Sequence, residues 1–161
     1  MATRLIHHAY RAAQYVRLLY WRVVRPDVYG AKVVVIGLDQ TVLLIRHSYA
    51  RSDMYMLPGG GVRRGEDVMA AAAREVWEET GIVVDALSLH GRFLDMAKGA
   101  RNHISVFAAH ASGGVPCADG REIIEAAWFS LDALPTNISS ASLKRILEIR
   151  DGRLPDFDVW P

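Results

Sequence analysis

Hydrophobic and polar positions alternate in blocks along most of this chain, and the blocks change period. Residues 31–38 and 41–47 are runs of β-branched and aliphatic side chains flanking Asp39-Gln40, the pattern of a two-stranded hairpin. Residues 67–80 switch to a helical pattern rich in alanine, which Gly81 is placed to stop. Residues 82–89 and 103–111 read as further strands, and residues 111–120, with Gly113, Gly114 and Pro116, as a loop. A short strand over residues 125–129 precedes a helical turn over 130–135. Ser139 or Ser140 then caps a last helix that reaches Asp151. A chain of 161 residues with no internal repeat and no low-complexity linker predicts a single domain.

The first 26 residues follow a different pattern. At 100° per residue, Arg4, Arg11, Arg22 and Arg25 fall within a sector of roughly 60°, while Leu5, Ala9, Val16, Tyr20 and Val23 fall opposite. This predicts a basic amphipathic helix closed by Pro26, because the residue before a proline avoids helical geometry. The expected organisation is therefore an N-terminal helix, residues 1–26, followed by a catalytic domain, residues 27–161. Three roles compete for the helix. It packs on the domain or on a second subunit as a homodimer contact, the favoured reading; it lies on an anionic membrane surface; or it is an organellar presequence, against which its few hydroxyl residues count.

Composition narrows the setting. The net charge of +1 hides an asymmetry, since Arg4, Arg11, Arg17, Arg22 and Arg25 face no acid within residues 1–26 and the rest of the chain is net negative. No basic and aromatic stripe marks the domain, which argues against extended nucleic acid as a substrate. No apolar run approaches the length of about 18 residues that suggests a membrane span. The lone Cys117 cannot form an internal disulfide, which fits a reducing, cytoplasmic setting.

The chemistry concentrates in residues 60–82, GGVRRGEDVMAAAAREVWEETGI. Glu75, Glu78 and Glu79 stand at i, i+3 and i+4 and so share one helix face. Carboxylates so spaced repel, which is unremarkable on a solvated face but also suits a shared cation. Hard oxygen ligands of this kind match Mg²⁺ or Mn²⁺. Upstream, Leu57-Pro58-Gly59-Gly60-Gly61 supplies glycines that allow close backbone approach to a ligand, and a helix N-terminus favours anions. A metal-bridged diphosphate fits both halves.

The segment resembles the box of the Nudix hydrolase family, G-x5-E-x7-R-E-U-x-E-E-x-G-U, with U a bulky aliphatic residue. Gly60, Glu66, Arg74, Glu75, Val76, Glu78, Glu79, Gly81 and Ile82 fill every fixed position, a match expected by chance on the order of 10⁻⁷ of the time. The likeness runs over roughly residues 30–150 and includes the later EIIEAAWF segment. It implies an α/β/α sandwich with a mixed sheet. It also implies Glu75, Glu78 and Glu79 as metal ligands with the Gly59 carbonyl as a fourth, and Gly60, Glu66 and Gly81 as structural members of the box. Arg74 pairs with Glu66 to orient the carboxylates. Glu78 and Glu79 then belong to the catalytic set, and Glu122 is favoured over Glu125 as a further ligand or general base.

Arg46, His47 and His103, at strand ends, are candidates for substrate contacts, and Tyr49, Tyr55 and Phe93 for stacking on a base. The implied activity is a Mg²⁺-dependent pyrophosphohydrolase acting on a small nucleoside diphosphate joined to another moiety, with a nucleotide sugar or an ADP-ribose-like compound in the lead. A (deoxy)nucleoside triphosphate pyrophosphohydrolase of the sanitising type is the nearest rival. A non-catalytic nucleotide-binding module stands against the intact carboxylate set. An allylic diphosphate isomerase stands against the loop setting of Cys117.

Overall fold

A computed structural model describes residues 12–13, 15–21, 23–48, 53–96, 99–155 and 160. Five strands form one mixed sheet: β1 (Asp27–Gly37), β2 (Thr41–His47), β3 (Asp85–Asp95), β4 (Arg101–His110) and β5 (Ile123–Ser130), in the order β3-β4-β1-β2-β5. β1 runs parallel to β4 and the other neighbours are antiparallel. The helices are α1 (residues 15–21), α2 (Val68–Thr80) and α3 (Ser140–Arg150).

Strand alternation assigns the two faces. Ala31, Val33 and Val35 of β1 pack with Ala72 and Val76 of α2, and Val34 packs with Ile146 of α3, so a helix covers each side of the sheet. The alanines of α2 allow that helix to lie close to the strands, as Ala71 and Ala72 have no exposed surface. This is the expected α/β/α sandwich.

β1 and β2 pair only at Ile36↔Val42 and Gly37↔Thr41, beside the turn where Asp39 and Gln40 take positive φ. Beyond that point the strands part, and the segment from Met56 to Gly61 wedges between them. Met56 exchanges backbone hydrogen bonds with Ile45 of β2, while Gly60 and Pro58 carbonyls accept from Ala31 and Val33 of β1. The wedge satisfies backbone groups that parting strands would otherwise leave open. It also fixes the glycine loop at the centre of the fold.

Several boundaries differ from the sequence expectation. β1 begins at Asp27, because its early residues pair with β4 from Asp27↔Arg101 onward despite weak alternation. β3 starts at Asp85 and runs on to Asp95, with register breaks between Asp85/Ser88 and Leu89/Gly91 that blur its period. Residues after Ser130 form a single hydrogen-bonded turn, Ala133 N–H donating to Ser130 O, where a helical turn was expected.

α1 presents its apolar side to solvent: Val16, Leu19 and Tyr20, with Val23 just beyond it, are 56–80% exposed, and Leu18 and Trp21 are half-buried. The apolar stripe expected to pack on the domain is therefore uncovered over these positions. Arg4, Leu5, Ala9, Arg11 and Arg22 lie outside the described residues. Among the described residues no helix is long and apolar enough to cross a membrane.

Candidate active site

Two glycines make the wedge possible. Gly59 has φ 131°, and a Cβ there would sit 2.1 Å from the Ala31 carbonyl oxygen. A Cβ on Gly60 would sit 2.5 Å from Glu75 Oε2. The loop is thus pressed between β1 and the carboxylate face of α2. Asp67 starts the helix, its Oδ1 accepting from Met69 and Ala70 N–H at 3.0 Å each, and Gly81 in left-handed geometry ends it, donating to Trp77 O.

Arg74 organises the loop against the helix. Its Nε and Nη2 donate to Glu66 Oε1 and Oε2 at 2.7 and 2.9 Å, a bidentate fork, and Nη2 also reaches Gly61 O at 3.2 Å. Its Nη1 donates to Glu75 Oε1 at 2.7 Å and Glu78 Oε2 at 3.0 Å. The Arg74 guanidinium, with a second bond from Arg63 N–H, holds the Glu66 carboxyl down at about 2. Reciprocally, the Glu66 carboxylate raises the Arg74 pKa further.

Glu79, one residue beyond Glu78, is 7% exposed, and its Oε2 accepts the Gly59 N–H at 2.7 Å. Burial pushes its carboxyl up to about 8; Lys32 and the Gly59 N–H oppose the rise, and the charges of Glu75 and Glu122 add to it. On the other side of the loop, Lys32 Nζ donates to the carbonyls of Gly59 at 2.5 Å and Leu57 at 3.1 Å.

The donors around this point are carboxylate and carbonyl oxygens, the chemistry that suits a hard divalent cation. A buried carboxyl kept from ionising by its surroundings also fits a site completed by positive charge. As they stand, no three acidic, His or Cys side chains among the described residues converge on a common point, because Glu75 and Glu78 lean on Arg74. The donor set matches the cation, and Arg74 and Lys32 are the cations that hold its oxygens.

Glu122 lies at the start of β5, where its carbonyl accepts from Ser48 N–H, close enough for its charge to act on Glu79. Asp119 shapes that corner, its Oδ1 accepting from the N–H groups of Arg121, Glu122 and Ile123. Glu125 points elsewhere, toward Tyr55 Oη at 2.6 Å and Arg46 Nη2 at 2.5 Å. The Tyr55 hydroxyl and the Arg46 guanidinium lower its pKa. Arg46 is thereby tied to Glu125 and lies 5.4 Å from the Tyr55 ring centroid.

His47 is 6% exposed, at the register break of β2 against β5. His103 stacks on Tyr29 with centroids 4.9 Å apart and meets Asp27, which Arg101 and then His103 hold at about 2. It lines a cleft of roughly 360 Å³ with Arg92 and Val68. Phe93 is core, 4% exposed, and Tyr49 lies outside the described residues.

Lys32 and Asp119 escaped the sequence reading. Lys32 had a visible signal, as the one charge inside an apolar strand run. Asp119 had none beyond its place in a polar loop.

The NUDIX domain profile matches residues 27–148. Two proteins named NAD-capped RNA hydrolase NudC are similar. That of Edwardsiella ictaluri (strain 93-146) is 33% identical over 68% of this chain and 42% of the relative. That of Vibrio vulnificus (strain CMCP6) is 31% identical over 76% and 46%. The chain thus spans less than half the length of these relatives. The crystal structure of MutT NUDIX hydrolase from Burkholderia pseudomallei superimposes with a TM-score of 0.67 at 29% identity, covering 76% of this chain and 98% of that one. With the filled box forming the glycine loop and α2 against β1, these matches show that the chain belongs to the Nudix hydrolase family.

Proposed function

We propose that this protein is a metal-dependent pyrophosphohydrolase that cleaves the diphosphate bond of a nucleoside diphosphate joined to another moiety. The observation that carries this reading is the buried Glu79 carboxyl pinned to the Gly59 amide, with Glu75 and Glu122 near enough to raise its pKa. A folded chain gathers such acids at a glycine loop when a cation and phosphates complete the site. Glu75, Glu78, Glu79 and the Gly59 carbonyl would hold Mg²⁺ or Mn²⁺. The metal supplies Lewis-acid polarisation of phosphoryl oxygens and a more acidic bound water.

The chain's own groups have distinct tasks in this reading. Arg74 and Glu66 hold the loop and aim the carboxylates. Glu122, at the rim, serves as a further ligand or as the base that takes a proton from water. Residues 27–161 form the catalytic unit, and residues 1–26 are an appendage to it.

For the substrate, the NAD in the name of the similar hydrolases is ADP joined to nicotinamide riboside, the chemical class of an ADP-ribose-like conjugate, while the RNA in that name goes beyond the small molecule expected from the sequence. The deciding experiment measures mononucleotide release from NAD, ADP-ribose, nucleotide sugars, (deoxy)nucleoside triphosphates and a NAD-capped RNA oligonucleotide, with Mg²⁺, Mn²⁺ or EDTA. Metal-dependent release from a nucleoside diphosphate conjugate is expected. Preference for triphosphates would replace the substrate assignment. No release from any compound by folded protein would point to a nucleotide-binding module.

A further inference from the structure

Lys32 breaks the apolar run of β1, lying on the strand face it shares with Val34, and it is only half-buried. Its ammonium donates to the carbonyls of Gly59 and Leu57. The first of these is the backbone oxygen assigned above to the metal, and its amide partner Gly59 N–H holds Glu79. A lysine ammonium is a compact point charge with three donors on a flexible stem, which makes it a ready substitute for a small cation among oxygen donors. The Lys32 ammonium and the Glu79 carboxyl thus meet the carbonyl and the amide of the same residue, Gly59. A divalent ion on the Gly59 carbonyl would meet this ammonium at close range, where two positive charges repel strongly.

We propose that Lys32 is a built-in counter-cation: it occupies the Gly59 carbonyl and balances the Glu79 corner before metal arrives, and metal entry displaces it. The proposal rests on the metal-site reading above. Lys32 is thus a positioning residue, which keeps the glycine loop and Glu79 in register in the absence of metal and competes with it for the same oxygen. Damage to a metal site weakens binding, whereas removal of a competitor strengthens it, so the sign of the effect separates the two.

The test titrates Mn²⁺ into the full chain, following free Mn²⁺ by electron paramagnetic resonance, and records thermal melting with and without Mn²⁺. Lys32→Met is expected to bind Mn²⁺ about tenfold more tightly than the natural protein. Its melting temperature should also rise more on Mn²⁺ addition. Lys32→Arg, which keeps a cation, should stay near the natural affinity. If Lys32→Met does not melt cooperatively, Lys32→Gln retains a donor for the Gly59 carbonyl without the charge, and the same gain is expected. Equal or weaker Mn²⁺ binding by a folded, uncharged variant overturns the proposal while leaving the metal site intact. Absence of Mn²⁺ binding by the natural protein removes the metal-site reading and this inference together.

Discussion

Replacement of Glu79 by glutamine isolates the cost of burying a carboxyl beside two others. An ordinary glutamate titrates near 4.5, and burial lifts Glu79 to about 8. The folded-state pKa is thus above the unfolded one. Its contribution is fully present below about pH 4.5 and is lost progressively as pH rises toward 8, because the unfolded chain releases the proton first. Each unit of pH in that window corresponds to about 1.4 kcal/mol, so the loss at pH 7 is about 3 kcal/mol as an upper bound. Glutamine keeps an oxygen for the Gly59 N–H and carries no proton to lose. In EDTA, Glu79→Gln should therefore match the natural protein near pH 4.5 and exceed its stability increasingly up to pH 8. Urea melts at half-unit steps from pH 4.5 to 9 measure this directly. Mg²⁺ at 1,000 times its Kd should reverse the order at pH 7, since it adds about 4.1 kcal/mol to the protein that binds it, more than the burial penalty. Parallel pH profiles for the two proteins in EDTA, or a glutamine variant that is the weaker at pH 7, would refute the reasoning.

Three further outcomes are expected. Arg74→Lys replaces a fork that engages Glu66 through two nitrogens with a single point charge. Steady-state kinetics should show a turnover loss of about 100-fold with a melting transition still cooperative, because misaligned carboxylates cost rate before they cost fold. Gly59→Ala forces a Cβ against the Ala31 carbonyl at positive φ. A melting temperature within a degree or two of the natural protein would contradict that clash. Glu148→Ala should cost about 3–5 kcal/mol in denaturant unfolding, since it strips Arg145, fully buried and 4.2 Å from the Phe93 ring centroid, of its carboxylate and takes the His90 partner with it.

The parts of this molecule that were legible in the sequence are those built from near neighbours. Glu66 and Arg74 stand eight residues apart and meet as a fork. Asp67 and Gly81 bracket α2 by local capping geometry. β2 falls where its β-branched and aliphatic run stands, over Thr41–His47. What escaped depends on contacts between distant segments. Lys32 reaches a carbonyl 27 positions on, and Tyr55 takes Glu125 70 positions on. Arg145 and Glu148, polar residues on a short helix, gave no sign of burial, because α3 meets β3 only in the folded state. The solvent-facing apolar stripe of α1 was readable as a stripe, but not as uncovered.

The parting of β1 from β2 has a consequence for the order in which the molecule becomes competent. The glycine wedge follows β2 closely in the chain, yet the strand it leans on is held on its far edge by β4, whose first pair, Asp27 with Arg101, spans 74 positions. Pairing across such a separation is slow to form, because closure of the intervening chain precedes any gain from contact. A nascent chain that has emerged only through α2 would carry every box carboxylate and lack β4, the strand that backs β1. Synthesis must pass β4 before the loop gains a rigid backing, and the acidic cluster reaches its charged geometry only as the whole sheet closes. The backing of the glycine loop is then a late event in folding, and the box residues take their final places only when the domain itself is complete.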